Sequence, residues 1–123
     1  MQGIAELLLD QWAGWEVLPA LLCGETGRQL SYGELGQLAR GWGAGLLGAG
    51  LGPGHRVAVI LPNCPEYGAL LVGTVGVGAT LVPVSPALSN IELGRLLEVA
   101  QTALARMISI YTALLRLPGL RWW

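Results

Sequence analysis

Lysine is absent, and all seven cationic side chains are arginine. A phosphate loop of the G-x-x-x-x-G-K-[ST] type is therefore excluded, because its lysine is the group that reaches the β- and γ-phosphates. Charge of either sign is scarce: 12% of residues are charged, about half the ~25% usual in globular proteins. The net charge is −1, so no basic field exists to hold nucleic acid or an acidic membrane surface. Hydrophobic residues make up 53%, which excludes a disordered chain, since disorder needs low hydrophobicity and high net charge. There are two cysteines, Cys23 and Cys64, with no C-x-x-C spacing. Two buried free thiols fit better than a disulfide framework or a zinc site. The one histidine, His55, follows Pro53-Gly54 and reads as a solvated turn residue, with no nearby carboxylate to make it a base.

Catalytic signatures are missing as well. No H-E-x-x-H, G-x-S-x-G or EF-hand loop occurs. The stretch "GAGLLG", residues 43–48, matches G-x-G-x-x-G. A dinucleotide site needs those glycines in a strand-to-helix turn. Here they fall at the end of an expected helix, so the match is accidental. Ser31 and Ser89 read as helix caps, and Arg40, Arg56 and Arg95 as surface charges. The residues themselves therefore assign no catalytic, cofactor-binding or metal-binding side chain.

What is present is a layered pattern. The start, "MQGIAELLLDQWAGWE", carries acids and no basic region, unlike a secretory or mitochondrial leader. Ile4, Leu7, Leu8, Trp12 and Trp15 share one helical face, which predicts a docking helix. Residues 18–23, the turn "GETG" and a short extended stretch predict a hairpin. Ser31 and Glu34 stand at capping-box spacing, as do Ser89 and Glu92. The first helix so marked has Leu35, Leu38, Ala39, Trp42, Leu46 and Ala49 as its apolar stripe, and "GLGPG" (50–54) ends it. Its many glycines each cost about 1 kcal/mol against alanine, which suggests close packing of this helix on a sheet. Residues 56–61, "RVAVIL", and Thr80–Val84, "TLVPV", read as strands buried on both faces. Between them, Cys64 stands as the expected N-cap and Pro65 as N1 of a helix over 65–77, with Glu66 in its first turn. Leu93, Leu96, Leu97 and Ala100 give the following helix its apolar face.

The chain is thus α/β: a βαβα layered parallel sheet with covering helices. Residues 67–91 are 25 consecutive uncharged positions, enough for a span of ~20 residues. Pro83, Pro86 and four glycines interrupt them, so a doubly covered core is the better reading. In the tail, "ARMISIYT" (105–112) fits a strand, and the spacing of Leu93, Leu97, Ala100, Leu104, Met107, Tyr111 and Leu115 fits one long helix; both patterns are present.

Taken in order, "TGRQLSYGEL", "GLGPGHRVAVILPNCPEY" and "GVGATLVPVSPALS" resemble the N-terminal part of the AMP-forming acyl-CoA synthetases and ligases, the adenylate-forming enzymes. The match is best over 18–98 and weaker over 99–123, so 1–123 is expected to be a partial, N-terminal AMP-dependent synthetase/ligase domain. The resemblance implies a lineage that activates a carboxylic acid with ATP and Mg²⁺ to an acyl-adenylate and then passes the acyl group to a thiol such as CoA, as in fatty acid metabolism. It also implies what is missing: the family's Ser/Thr/Gly-rich phosphate loop, adenine-binding motif, ribose-binding Asp and catalytic Lys lie outside the matched stretch. The expectation is a truncated N-terminal segment, inactive alone, with no cofactor of its own. Its expected partner is the remainder of such an enzyme, or a full-length relative. The alternatives are a non-catalytic interaction module or a small membrane-associated protein. No nucleic acid is expected. The expected location is intracellular and cytoplasmic, with mitochondrion and peroxisome left open. A piece of a layered sheet leaves apolar faces uncovered, so the isolated chain is expected to be poorly soluble or molten, most of all around Trp122 and Trp123.

Overall fold

The computed structural model describes residues 3–61 and 63–100. Among these the elements run α1 (Ile4–Trp12), β1 (Pro19–Leu22), β2 (Gln29–Ser31), α2 (Tyr32–Gly48), β3 (Arg56–Ile60), α3 (Glu66–Gly76), β4 (Thr80–Val84) and α4 (Asn90–Ala100). The two readings of the tail, and Trp122 and Trp123, lie outside the described residues.

β3 and β4 are adjacent and parallel, with Arg56 opposite Thr80 and Ile60 opposite Val84. Parallel neighbours need a crossover, and α3 supplies it. The pleat then sorts side chains to opposite faces. Val57, Val59 and Leu81 pack with Trp42, Leu46, Leu51, Leu61 and Leu70 under α2 and α3. Ala58, Ile60, Val82 and Val84 pack with Leu88, Leu93, Leu96 and Leu97 under α4. Helices lie on both faces of the sheet, which is why its strands show no polar alternation; β3 is buried from Val57 to Val59, but β4 is less buried than the sequence predicts, with Thr80 and Pro83 exposed. The uncharged run 67–91 is therefore helix, turn, strand and loop. No helix among the described residues is long and apolar enough to cross a membrane.

Local chemistry explains the element ends. The Glu34 amide donates to the Ser31 hydroxyl at 3.1 Å and the Ser31 amide to the Glu34 carboxylate at 2.8 Å, a complete capping box. Ser89 and Glu92 repeat it at 3.3 and 2.8 Å. α2 stops at Gly50, whose φ of 76° is left-handed. There the Leu51 amide donates to the Leu46 carbonyl and the Gly50 amide to that of Leu47, a Schellman motif. α3 stops the same way at Gly78, with the Ala79 amide on the Thr74 carbonyl. β1 and β2 pair antiparallel as the predicted hairpin.

Four further expectations need correction. The face of α1 that docks is Ala5 and Leu9, with Leu8 and Trp12 half-buried; Ile4 and Leu7 are 63% and 69% exposed. The small Ala5 lets the helix lie close, and the larger side chains turn outward. Trp15 lies past the helix and packs edge-on against Tyr32 at 5.4 Å. Second, the close approach that glycine permits is helix on helix. A Cβ on Gly73 of α3 would meet the Ala39 carbonyl oxygen of α2 at 2.5 Å and Trp42 at 2.8 Å. Third, Ala49 is exposed at the C-cap of α2 rather than part of its stripe. Fourth, β3 ends one residue early at Ile60, and α3 is assigned from Glu66, although Pro65 already has helical dihedrals (φ −59°, ψ −32°). Such one-residue differences are ordinary at element ends.

Candidate functional site

In open α/β sheets ligands gather beyond the C-terminal ends of the strands. That end is formed here by Leu61, Asn63, Cys64 and the first turn of α3, with Ser85 after β4. The β1–β2 hairpin is folded onto it. Its side chain Leu21 lies where a Cβ on Gly68 would be, and Arg28 of its turn forms an ion pair with Glu66.

Glu66 is the charged residue of this end that water barely reaches, at 8% exposure. Oε1 faces the Arg28 guanidinium, and Oε2 is buried without a hydrogen-bond partner. The helix N-terminus adds a favourable dipole for the carboxylate. Around this pair lie three further titratable groups. Cys23 closes the hairpin turn, its amide donating to the Arg28 carbonyl at 2.7 Å and its carbonyl accepting from the Gly27 amide at 2.9 Å. Hydrogen bonding from the Thr26 side chain, helped by the Thr26 and Glu25 amides, holds the Cys23 thiol below its ordinary range. Burial pushes the Cys64 thiol up, against the pull of the Tyr67 amide and the Arg28 charge. Burial also raises Tyr67, whose hydroxyl is 3.4 Å from the Val59 carbonyl oxygen.

The residues weighed in the sequence are dispersed. Ser31 and Ser89 are caps. His55 stays in its turn but is half-buried, and its Nδ1 accepts from the Gly52 amide at 3.1 Å, so the ring builds the turn. Residues 43–48 lie in the last turns of α2 and not in a strand-to-helix turn. Arg40 lines a groove of about 670 Å³ with Ala44, Leu47, Pro53 and Val75. That groove opens at the other end of the sheet, where the strands begin. Arg56 starts β3, and Arg95 is exposed on α4. Sequence reasoning missed the Arg28–Glu66 pair. The available signal was that Glu66 is the one charge within 59–86.

The family model described as AMP-binding enzyme matches residues 8–108. The chain belongs to the AMP-binding enzyme family. A sulfoacetate–CoA ligase of Cupriavidus necator is 33% identical over 101 residues, which is 82% of this chain and 20% of that protein. 4-Coumarate–CoA ligase 3 of Oryza sativa is 34% identical over 82 residues, 67% of this chain and 15% of that one. The N-terminal domain of FACL13 from Mycobacterium tuberculosis superposes with a TM-score of 0.72 at 25% identity, covering 97% of this chain and 31% of that structure. The chain thus corresponds to the N-terminal segment of the adenylate-forming ligases. It spans about a fifth or less of the length of these two curated relatives.

The AMP-binding family implies ATP and Mg²⁺, and the strand ends of this segment do not fit them. The buried side chain there is an anion, Glu66, which repels phosphate, and the cation beside it is already paired. Among the described residues no three His, Cys, Asp or Glu side chains come together as a metal set. What this end of the AMP-binding segment offers chemically is a pair of thiols beside an ion pair.

Proposed function

We propose that this chain is a scaffold segment of an ATP-dependent acid–thiol ligase and that it does not activate a carboxylate by itself. One observation carries the reading: β3 and β4 are parallel, helix-covered on both faces, and end at a carboxylate and thiols rather than at phosphate-binding groups. The relatives support it. They are named for sulfoacetate, 4-coumarate and fatty acids, which are chemically unlike, yet share this segment. A part common to all of them serves the shared architecture rather than the choice of acid. The partner that completes the site is the remaining part of such an enzyme.

The test is pyrophosphate release. The purified chain is incubated with ATP, Mg²⁺, CoA and short, aromatic and long-chain acids. Release at the level of a no-protein control is expected. Acid-dependent release by the chain alone overturns the reading.

A further inference from the structure

We propose that the edge of β3 turned away from β4 is a docking edge for one parallel strand of this same chain, residues 105–112, so that β3 is the middle strand of the sheet. Among the described residues β3 has one strand neighbour, β4, and 105–112 lies outside them. Handedness points there first. A crossover through a helix between parallel strands is right-handed in about 98% of cases. β3, α3 and β4 form one such unit, with Tyr67 and Leu70 of α3 on the face of Val57 and Val59. α4 follows β4 on the opposite face, where Leu93, Leu96 and Leu97 meet Ala58, Ile60 and Val82. A right-handed path on the opposite face crosses the sheet in the opposite direction. The strand after α4 therefore steps back past β3 and lands on its far edge.

The backbone of the two outer edges agrees. Along a parallel strand, successive residues turn their N–H and C=O groups to opposite edges. The Thr80 amide donates to the His55 carbonyl at 2.9 Å. Thr80, Val82 and Val84 therefore face β3, and Leu81 and Pro83 face the outer edge of β4. Proline has no N–H, so that edge lacks a donor in its middle, and a strand proline belongs at the border of a sheet. Pro83 is exposed, as a border position requires. On β3 the same bond turns Val57 and Val59 toward β4, and Ala58 and Ile60 toward the far edge. Ala58 and Ile60 each carry a donor and an acceptor there. One edge is closed to a further strand, and the other is complete.

The reach and the pattern of the chain fit this occupant. α4 has 11 residues, about 16 Å at ~1.5 Å each. β3 has five, about the same length at ~3.3 Å each. α4 is thus long enough to carry the chain back to the level where β3 starts. Connections of about 2–6 residues after Ala100 put the next strand's start near 103–107, and "ARMISIYT" begins at residue 105. Val57, Ala58 and Val59 are all buried, so a strand beside them meets apolar layers on both faces. Met107, Ile108, Ile110 and Tyr111 supply apolar side chains at both parities of 105–112.

Amide hydrogen exchange of the full chain, read residue by residue, tests the edge. Ala58 and Ile60 should exchange more than about tenfold slower than Leu81, relative to their intrinsic rates, because a paired amide opens only with its sheet. Ile108→Pro and Ser109→Pro are then made separately. Neighbouring residues of a strand donate to opposite edges, so one of the two variants removes a donor aimed at β3. That variant should speed Ala58 and Ile60 several-fold, while Val57, which faces β4, stays slow. Three results overturn the proposal. One is exchange of Ala58 and Ile60 as fast as that of Leu81. Another is a loss of helical circular dichroism in both variants with Ala58 and Ile60 unchanged, the signature of one long helix. The third is protection of Ala58 and Ile60 that rises with chain concentration, which puts a second copy on the edge.

Discussion

The Trp42 indole N–H donates to the Thr74 hydroxyl at 2.8 Å, and both residues are buried, at 2% and 0% exposure. The bond joins α2 to α3 in the layer that covers the sheet. It lies among Leu46, Leu51, Val57 and Leu70, so no water competes for either group. An indole donor inside an apolar core needs a partner, and Thr74 is the polar residue that α3 places there.

Thr74→Val keeps the shape and removes the acceptor. The indole N–H is then buried unpaired, which costs about 1–3 kcal/mol. Trp42→Phe leaves a hydroxyl that can turn to its own helix backbone, so its cost comes mainly from lost packing. The two effects should not add, because the double variant has no orphan donor. Urea unfolding midpoints of the wild type, both single variants and the double variant measure the coupling. Strict additivity contradicts the bond.

Arg28 and Glu66 predict an asymmetry. Arg28→Ala leaves a buried carboxylate without its cation and should cost about 1–3 kcal/mol. That exceeds the ~0–1 kcal/mol of an exposed pair. It falls short of the ~3–5 kcal/mol of a fully buried pair, because the Arg28 side chain is half-exposed. Glu66→Gln removes the charge with the shape kept and should cost less than Arg28→Ala. Equal losses in the two variants would show that the burial of Glu66 does not matter.

Glu92 predicts a local pH response. Hydrogen bonds from the Ser89 amide and hydroxyl hold its carboxyl below the ordinary range. A depressed folded value stabilises the fold above the unfolded value, near about 4.3, and the contribution is lost as pH falls through the lower folded value. The start of α4 should therefore fray in acid before α2 and α3 do. Amide exchange of residues 90–94 against pH measures this, and Ser89→Ala should flatten the dependence.

Much of this fold was legible because its rules are local. Ser31, Glu34, Ser89 and Glu92 announce helix starts within four residues, and Gly50 and Gly78 announce the stops. The β-branched run of β3 states its own double burial, whereas that of β4 overstates it, since Thr80 and Pro83 are exposed. The misses are tertiary. Whether Ile4 or Ala5 faces inward depends on the surface that α1 meets, and an apolar stripe drawn on α1 alone admits both. Arg28 and Glu66 are far apart in sequence, and no periodicity links a hairpin turn to a helix start. The glycines of α2 suggested a close-packed sheet, yet Gly33 meets Glu16, Gly36 meets Leu9 of α1, and Gly45 and Gly48 have nothing within 4 Å; the glycine of the close crossing is Gly73 of α3.

The α2–α3 crossing yields a test with two signs. Gly73→Ala places a methyl 2.5 Å from the Ala39 carbonyl oxygen and 2.8 Å from a Trp42 ring carbon. The oxygen is backbone, so it cannot swing aside, and the helices must separate. Overpacking of this kind costs about 1–3 kcal/mol, more than the ~1 kcal/mol of helix propensity gained over glycine. Gly45 lies in α2 with nothing within 4 Å of its added Cβ and no positive φ. Gly45→Ala should keep the propensity gain and stabilise by up to about 1 kcal/mol. Opposite shifts of the urea midpoint are therefore expected for the same substitution on two packed helices. A Gly73→Ala variant as stable as Gly45→Ala would mean that α2 and α3 do not cross at Gly73.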